Sequence, residues 1–520
     1  MRQLLEHCTS TCHPDTPFSF IPTRLIDIGA DASAVSRLVP SSGIEHTQQK
    51  KYAALSYCWG NAKDAELQFK TEKASLEDRY VGLPNELMTS TTKDAIALAR
   101  AIGIRYLWID ALCIIQDDKV DWSHESSQMS LVYRHAFVTL CSLNSDSCHE
   151  SFLNRAPMVK IPFQSTIRES INGSYLIRLR PKTMGDIGDR RRYTWDSNFS
   201  KWDKRCWTFQ EKKMSTRLLF FGNQNIHFSC GRSDWTEGDE APTVKPKSWL
   251  GVSDMIARFK DKYISSRELY AYWDWLLRQY GHRSVTFDKD RLPAIAGLAR
   301  MLGDVLQDQY LAGIWKGDLQ CGLIWESIRD HDSLSRSLEA HILNIRERNY
   351  VAPSWSWASC SAVASMGYQR EMVFEESTIV DVDTHTVSED PYGRVSGGFL
   401  RIRGKIARMP NWLPNDDGTQ RSNKWSHSFT ESSHQDIYVR TDWLHKEKEA
   451  ALEDLVVMLL HRIRDRYRPR ESDLRALLLH PTDELRTYYR VGVVGSRNYE
   501  GFREMRSWFE NSQEETICII

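Results

Sequence analysis

The stretch of sequence that decides the fold is residues 104–136, IRYLWIDALCIIQDDKVDWSHESSQMSLVYRHA. An apolar run ends at Asp110, a second apolar run follows at once, and a segment with helical spacing begins near Trp122. Short apolar runs that end at a turn are typical of buried strands. A strand that ends at an acid, followed by a helix that carries another acid, is a plausible way to build a polar site on an α/β core.

The segments on either side continue this alternation. The predicted order is strand, helix, strand, helix and strand, over residues 52–60, 90–102, 104–109, 122–134 and 137–143. Ser90, Thr91 or Thr92 is expected to cap the first helix, which Gly103 ends, and Asp121 is expected to cap the second. Short joints between alternating strands and helices favour a parallel, doubly wound sheet.

The chain of 520 residues is too long for one ordinary domain. We predict the fold class α/β, with a parallel sheet and flanking helices in a core, then a helical segment and a β-rich C-terminal region. The expected divisions are an N-terminal lead-in, the α/β core, a mainly helical extension and the β-rich region, at residues 1–50, 51–215, 216–350 and 351–520.

Several local patterns support these divisions. Residues 202–217 have helical spacing, and two apolar runs around Gly222 predict a β-hairpin. In VAPSWSWAS, Trp355 and Trp357 alternate with serines, which predicts a strand whose tryptophans pack in the core, with a stacking platform as the alternative. The polar residues 414–436 predict a loop or a disordered insert.

Composition excludes several classes of function. The net charge of −1 supplies no basic field for nucleic acid or an anionic membrane. We expect no membrane span, because no run reaches about 20 apolar residues, and a cytoplasmic protein, because the N-terminus has no signal-peptide core. Eleven scattered cysteines fit reduced, buried thiols better than disulfides.

The N-terminus contains a small group of metal-binding residue types. His7 and Cys8 are followed closely by Cys12 and His13, and the four residues could hold a metal ion. A second ligand pair with zinc-finger spacing is missing from the sequence. The sequence therefore favours a flexible terminus, and we predict no metal site.

The predicted sheet indicates where a ligand would bind. In parallel α/β sheets, ligands bind beyond the carboxyl ends of the strands. The candidates after the first strand are Ser56, Tyr57, Trp59 and Gly60. Gly60 would let a ligand approach the backbone. Asp110, after the second strand, could bind a ligand hydroxyl or a cation, or could cap the next turn. Residues 142–145 follow the third strand.

Glu125 is the charged residue on an apolar and aromatic helix face. Trp122, Glu125, Met129 and Tyr133 are separated by three, four and four residues, which places them on one face. Burial there would raise the pKa of Glu125 and suit it to act as a general base or to stabilise a transition state. The alternative is an acid that the positive end of the helix dipole favours.

Other catalytic patterns are weaker. Cys113 could form a nucleophile pair with His124 or His135. Because Cys113 lies inside the apolar run LCII, a packed core thiol is the favoured interpretation. The sequence contains no P-loop, dinucleotide-binding GxGxxG, zinc-protease, kinase or GxSxG motif.

Together, these segments resemble the fungal heterokaryon incompatibility (HET) domain family. The strings that carry the resemblance occur in the family's order, from YAALSYCWG at residue 52 through LPNELMTSTTKDAIALARAIGIRYLWIDALCIIQDD, DWSHESSQMSLVYRHAFVTL, FLNR, RCWTFQEKKMSTRLLFF and HFSC to DRLPAIAGLA, YLAGIW, LIWE and APSWSWAS. The core domain would cover roughly residues 52–212, and the later strings resemble its usual downstream extension.

The resemblance implies a protein of nonself recognition that triggers programmed cell death when unlike fungal cells fuse, together with a protein partner. The family is considered distantly similar to Toll/interleukin-receptor (TIR) domains, which share the flavodoxin-like order of strands and helices. Some TIR domains cleave NAD with a helix glutamate that follows a tryptophan, as Glu125 follows Trp122. TIR-like modules act by assembly, so a homo-oligomer is compatible with this interpretation.

The resemblance leaves three functions to compare. The first is a cell-death effector that signals through contacts alone. The second is an NAD(P)-cleaving enzyme in which Glu125 stabilises an oxocarbenium-like centre and Trp59 or Trp122 stacks on a base or nicotinamide. NAD would then be a substrate, and no cofactor is required. The third, an accessory protein of a fungal metabolic gene cluster, is disfavoured because familiar catalytic motifs are missing.

Overall fold

The computed structural model describes residues 1–13, 20–29, 31, 34–44, 51–155, 159–177, 196, 200–245, 251–327, 335, 337–348, 350–360, 363–365, 373–409, 437–443, 454–464, 472–496 and 499–520. These residues form two compact units, Met1–Val252 and Ser253–Ile520. The predicted loop at 414–436 lies outside the described residues. The four-part division of the chain stays a prediction.

The N-terminal unit alternates strands and helices. Its strands are β1 (Arg24–Asp27), β2 (Arg37–Pro40), β3 (Tyr52–Ser56), β4 (Tyr106–Trp108), β5 (Val138–Ser142), β6 (Val159–Gln164), β7 (Asn172–Ile177), β8 (Arg217–Phe221), β9 (Ile226–Cys230), β10 (Ser233–Thr236) and β11 (Thr243–Val244). Its helices are α1 (Arg2–His7), α2 (Ala62–Glu66), α3 (Leu76–Val81), α4 (Ser90–Ile102), α5 (Asp110–Cys113), α6 (Lys119–His135), α7 (Lys201–Lys204) and α8 (Cys206–Met214).

The main sheet of this unit has nine strands in the order β11-β10-β9-β8-β5-β3-β4-β1-β2. The four central strands, β8, β5, β3 and β4, pair in parallel. The outer strands pair antiparallel on both sides. The parallel sheet expected for the α/β core is therefore confirmed, and antiparallel strands from residues 24–40 and 226–244 extend it on both sides. Short hairpin connections produce antiparallel pairs, as between β8 and β9.

The three central strands β3, β4 and β5 lie where the sequence predicts strands. The residues of β3 and β5 are all buried, as expected for parallel strands covered on both faces. Gly103 ends α4 in the left-handed region, with φ of 80°, as predicted. The predicted hairpin around Gly222 is also confirmed, because β8 pairs antiparallel with β9.

The helix caps differ from the prediction by one to three residues. Thr89, rather than Ser90, Thr91 or Thr92, is the N-cap of α4. Asp118, rather than Asp121, caps α6, and its carboxylate accepts from the backbone N–H of Val120 and Asp121. The cap moves because Asp121 instead binds Arg24 of β1 at 2.6 Å, a long-range ion pair that the local pattern does not contain.

Two more segments differ from the prediction. The helix expected over 202–217 is divided at Arg205, which has an extended backbone between α7 and α8. The N-terminal segment is not a free tail, because α1 continues into a π-helical turn, Cys8–Cys12, and Leu5, Cys8 and Cys12 are buried. The expected flexible terminus is therefore wrong for residues 1–13.

The second unit is helical first and β-rich afterwards. Its helices are α9 (Val252–Lys260), α10 (Ser266–Tyr280), α11 (Pro293–Leu306), α12 (Leu319–Gly322), α13 (Leu338–Leu343) and α14 (Tyr499–Ser507). Its strands are β12 (Tyr310–Leu311), β13 (Ile314–Trp315), β14 (Trp325–Ser327), β15 (Val363–Ser365), β16 (Val373–Glu375), β17 (Ser377–Thr386), β18 (Val395–Arg408), β19 (Ile437–Thr441), β20 (Val456–Arg464), β21 (Ser472–Pro481), β22 (Thr487–Ser496) and β23 (Glu514–Ile519).

An eight-stranded sheet organises this unit, in the order β16-β20-β21-β22-β23-β18-β17, with β19 paired to β22. The long strand β18 pairs with both β23 and β20. The β-rich character of the C-terminal region is thus confirmed. Among the helices of the described ranges, none is long and apolar enough to cross a membrane.

The segment VAPSWSWAS is not a strand. Residues 357–359 form a 3₁₀ helix that the Ser356 hydroxyl caps. Trp355 and Trp357 are buried, as are Ser354 and Ser356, so the alternation does not separate two faces of a strand. The prediction that the two tryptophans pack in the core is confirmed: the Trp357 indole N–H donates to the Gly313 carbonyl at 2.9 Å.

A candidate site at the carboxyl ends of the parallel strands

The residues that follow β3 point into a buried polar cluster. The Ser56 hydroxyl donates to the Glu211 carboxylate and accepts from the Trp202 indole N–H at 2.7 Å. The Tyr57 hydroxyl accepts from the Gln68 amide at 2.6 Å and bonds to the Asp110 carboxylate. These contacts place two predicted site residues, Ser56 and Tyr57, where a parallel sheet binds its ligands.

Asp110 receives hydrogen bonds from two neighbouring strand ends. It follows β4 and opens α5, where its Oδ1 accepts from the backbone N–H of Ala111 at 2.7 Å. The Trp59 indole N–H donates to Asp110 Oδ2 at 3.0 Å. The carboxylate therefore stabilises the following turn, which is one of the two alternatives predicted for Asp110; its binding of a ligand hydroxyl or a cation stays a prediction.

Arg205 and Glu211 complete the cluster from a distant part of the chain. Arg205 lies at the break between α7 and α8, and its guanidinium donates to the Tyr57 carbonyl at 2.5 Å. Glu211 lies on α8, so the break directs both side chains to the ends of β3 and β4. Coulombic attraction links Arg205 to Asp110 and to Glu211.

Burial governs the electrostatics of the cluster. It raises the pKa of Asp110 and raises the pKa of Glu211 to about 7, in spite of the attraction of Arg205 and the hydrogen bond from Ser56. Two acids that share one cation in a site of low polarity cannot both ionise without cost. Glu211 therefore exchanges a proton near neutral pH, a property that suits acid–base chemistry.

We expect the stability of the N-terminal unit to depend on the charge of Glu211. Its pKa lies near 4.5 in the unfolded chain and at about 7 in the folded one. The stabilisation is thus complete below pH 4.5 and is lost as the pH rises through 7, by at most about 3 kcal/mol. The measurement is hydrogen–deuterium exchange of β3–β5 peptides between pH 5 and 8, corrected for the intrinsic exchange rate.

Glu211→Gln is the matched control, because glutamine keeps the shape and cannot ionise. The variant should flatten the dependence on pH in the β3–β5 peptides. An equally steep dependence in the variant and the wild-type protein would assign the effect to another group.

Glu125 lies in a different polar group. It is buried, with 1% of its surface exposed, and burial raises its pKa. Its Oε1 is 3.6 Å from Arg24 Nη2, and Arg24 also binds Asp121. Thr23 adds a hydrogen bond. Glu125 is therefore buried, which is the condition on which its predicted role depends, and that role stays a prediction. Its contacts are with Arg24 and Thr23, whereas Asp110 contacts Tyr57 and Trp59.

The other predicted site residues have mixed surroundings. Trp122 is half-buried in α6, one turn before Glu125. Gly60 has a φ of 101°, and a Cβ there would lie 2.3 Å from Asp64 Oδ2. The glycine thus makes room for Asp64, which forms the capping box of α2 with Asn61. Ser142, at the end of β5, is buried, and the residue before it, Cys141, pairs with Ser56 in the sheet.

The predicted nucleophile pair of Cys113 is wrong. Cys113 is fully buried, and burial raises the pKa of its thiol to about 12, so the reactive thiolate is scarce. His124 bonds to Gln128 at 2.8 Å, and His135 packs on Phe20. The favoured alternative, a packed core thiol, is confirmed.

Five members of the cluster were not predicted as site residues: Gln68, Tyr133, Trp202, Arg205 and Glu211. Tyr133 donates to the Leu55 carbonyl at 3.1 Å and contacts Glu211. Arg205 and Glu211 belong to the string RCWTFQE, which carries part of the family resemblance. Their polarity inside an aromatic segment was the available signal.

Comparison with known proteins identifies the domain that contains the cluster. Residues 52–211 match the family described as heterokaryon incompatibility protein (HET). No curated protein and no solved structure gives a significant match. The matched range begins at the first residue of β3 and ends at Glu211, so it holds every member of the cluster. Residues 52–211 of this chain are therefore a heterokaryon incompatibility (HET) domain.

Proposed function

We propose that this protein acts in fungal nonself recognition and triggers programmed cell death through its HET domain. The observation that carries the proposal is the match over 52–211, which encloses a polar cluster in which Ser56 and Glu211 are buried and Asp110 and Arg205 are half-buried. Buried polar clusters are costly to stability, and a domain that keeps one at the ligand edge of its sheet uses it for binding or chemistry.

The proposal includes a TIR-like, flavodoxin-like core. The four parallel strands lie side by side in the order β4-β3-β5-β8. Along the chain, β3 is the first of the four and β4 the second, so the order in the sheet is second, first, third, fourth. The flavodoxin-like sheet begins with the same order and binds its ligand where the order reverses, between the first and third strands. Ser56 and Ser142 end the two strands at that point.

The alternative proposal is cleavage of NAD(P) by the same domain. Glu125 is its catalytic residue, because it is a buried carboxylate held 3.6 Å from the Arg24 guanidinium. It would stabilise the oxocarbenium-like centre as nicotinamide leaves. Trp59 or Trp122 would stack on a ring of the substrate, and Ser56, Tyr57, Gly60 and Asp110 would line the binding site.

Both proposals place the protein in the cytoplasm, with a protein partner in nonself recognition and with assembly of several copies. Neither needs nucleic acid or a bound cofactor, and NAD(P) enters the second as substrate. An accessory role in a metabolic gene cluster remains the third alternative.

The test is induced expression of the full chain in a filamentous fungus, scored for cell viability and for cellular NAD. We expect the wild-type protein to kill the cells that express it. Glu125→Gln should lower the fraction of killed cells at least tenfold, because the amide cannot stabilise positive charge. Glu77→Gln, the same change at an exposed acid of α3, is the matched control and should kill like the wild type.

The purified proteins separate the two proposals. The enzyme proposal is supported if the wild-type protein releases nicotinamide from NAD and Glu125→Gln does not. Killing without NAD loss supports signalling through contacts. Unchanged killing and unchanged nicotinamide release in Glu125→Gln would exclude Glu125 as the catalytic residue, and loss of both in Glu211→Gln alone would assign the catalytic role to Glu211. A wild-type protein that does not kill contradicts the cell-death proposal.

A further inference from the structure

Three cysteines from opposite ends of the N-terminal unit meet in its interior. The Sγ atoms of Cys8, Cys12 and Cys230 all lie within 4.8 Å of one another, and all three residues are buried. Cys230 ends β9 and is 218 residues beyond Cys12 in the chain. A tetrahedral zinc ion with bonds of about 2.3 Å to sulfur needs sulfur atoms about 3.8 Å apart, so small adjustments would bring the three into place.

The backbone turn Cys8–Cys12 presents its two sulfurs to the same point. The turn is π-helical, closed by a hydrogen bond from the His13 N–H to the Cys8 carbonyl at 2.9 Å. A π-helical turn holds more than four residues, so residues four apart lie on one side, and such turns are frequent at functional sites.

His13 is the candidate for a fourth donor; within the described residues, the group whose ligand atoms all lie within 4.8 Å of one another consists of the three cysteines, so the His13 ring would have to move toward them. Its imidazole faces the Cys230 sulfur and lies against Gly231, where an added Cβ would be 3.5 Å from His13 Cε1. Three thiolates and one imidazole are a common donor set for structural zinc. Among first-row metals, soft sulfur donors in a closed four-coordinate site favour zinc.

The surroundings of Cys230 are built for a thiolate. The backbone N–H groups of Arg232 and Ser233 donate to Cys230 Sγ at 3.4 and 3.3 Å. The Ser233 hydroxyl lies 3.4 Å from Cys230 Sγ and 3.8 Å from Cys12 Sγ. Donors of this kind orient metal ligands and stabilise their charge.

A buried cation balances the charge that the site would carry. Zinc with three thiolates and a neutral imidazole has a net charge of −1. The Arg217 side chain is fully buried, interacts with Cys8 and donates to the His13 carbonyl at 3.4 Å. A buried guanidinium beside an anionic zinc site compensates a charge that would otherwise be costly to bury.

We propose that Cys8, Cys12, His13 and Cys230 bind one structural zinc ion that joins the N-terminal helix to the end of β9. All four residues lie outside the matched range 52–211, so the proposal does not depend on the function of the HET domain. Binding displaces three thiol protons, and the metal closes a loop of more than 200 residues.

The first test measures metal in the full chain, purified in buffer without chelator, by inductively coupled plasma mass spectrometry. We expect about one zinc per chain in the wild type and at least tenfold less in Cys230→Ala. Cys113→Ala, the same change at another buried cysteine of this unit, is the matched control and should keep one zinc. His13→Ala should lose zinc faster to a chromogenic chelator.

A second measurement uses the wild-type protein alone, so that it holds even if a variant does not fold. A chelator should lower its melting temperature, and added zinc should restore it. Cobalt exchanged into the site should show the visible absorption of a tetrahedral thiolate centre. Three results would each overturn the proposal. The first is an equal zinc content in the wild type and Cys230→Ala, and the second is a wild-type protein that contains no metal. The third is a Cys8–Cys230 disulfide found by non-reducing peptide mapping.

Discussion

Arg205→Met is expected to destabilise the N-terminal unit by about 3 kcal/mol at pH 8 and by only about 1 kcal/mol at pH 5.5. Arg205 is the cation that Asp110 and Glu211 share. Without it the pKa of Glu211, already about 7, rises further above its value in the unfolded chain. A carboxyl with a raised folded pKa loses stability as the pH increases, so the damage grows toward alkaline pH.

The measurement is hydrogen–deuterium exchange of peptides from β3, β4 and β5 at both pH values, because whole-chain melting mixes two units. The double variant Arg205→Met/Glu211→Gln removes the cation and the ionisable acid together. The double variant should recover most of the stability that Arg205→Met loses at pH 8 beyond its loss at pH 5.5. The recovered stability gives the coupling energy of Arg205 and Glu211. An equal loss for Arg205→Met at pH 5.5 and 8 would mean that Arg205 contributes only its packing and its bond to the Tyr57 carbonyl.

The central strands could be predicted because their signal is local. Residues 52–56 and 138–142 are continuous apolar runs bounded by turns, and Gly103 ends a helix by a left-handed conformation that glycine adopts easily. The β8–β9 hairpin could be predicted in the same way, but the antiparallel pairing of β1 with β4 could not. β1 pairs with β4 across about 80 residues of chain, and such pairing depends on contacts that no window of sequence contains.

The alternation of residue types also gave a wrong strand prediction where both sets of alternating side chains are buried. The serines of SWSWAS are as buried as the tryptophans, because Ser356 caps the following 3₁₀ turn and Ser354 bonds to the last carbonyl of the chain. A pattern with period two predicts a strand only when the two faces differ in exposure. Here both sets of side chains lie inside, so the pattern carried no information about conformation.

The residues of the candidate site also divide into those that the local sequence predicts and those that only the fold brings together. Ser56, Tyr57 and Asp110 could be predicted, because strand ends of a parallel sheet are ligand positions. Arg205 and Glu211 come from about 95 to 155 residues further along the chain, and only the fold brings them to Asp110 and Ser56. The same holds for the three clustered cysteines: Cys230 lies 218 residues beyond Cys12, and only the fold brings it to Cys8 and Cys12.

Arg490→Met is expected to destabilise the C-terminal unit by about 3–5 kcal/mol. The Arg490 side chain is fully buried, and its guanidinium binds Asp442 at 2.5 Å and lies 3.4 Å from the centre of the Trp325 ring. It also donates to the Trp325 carbonyl. Methionine fills much of the same volume but donates nothing, so the variant leaves the carboxyl of Asp442 and a backbone carbonyl buried without their donor.

Two further variants test whether the loss comes from the uncompensated acid. Asp442→Leu combined with Arg490→Met removes both charges and should recover much of the stability, because an apolar pair can replace a buried ion pair. Arg403→Met breaks an exposed pair with Glu514 on the same sheet and should change exchange little. Hydrogen–deuterium exchange of the β22 and β14 peptides measures the stability of all three variants. If the double variant is as unstable as Arg490→Met, the loss arises instead from the Trp325 contacts, because both variants lack the guanidinium.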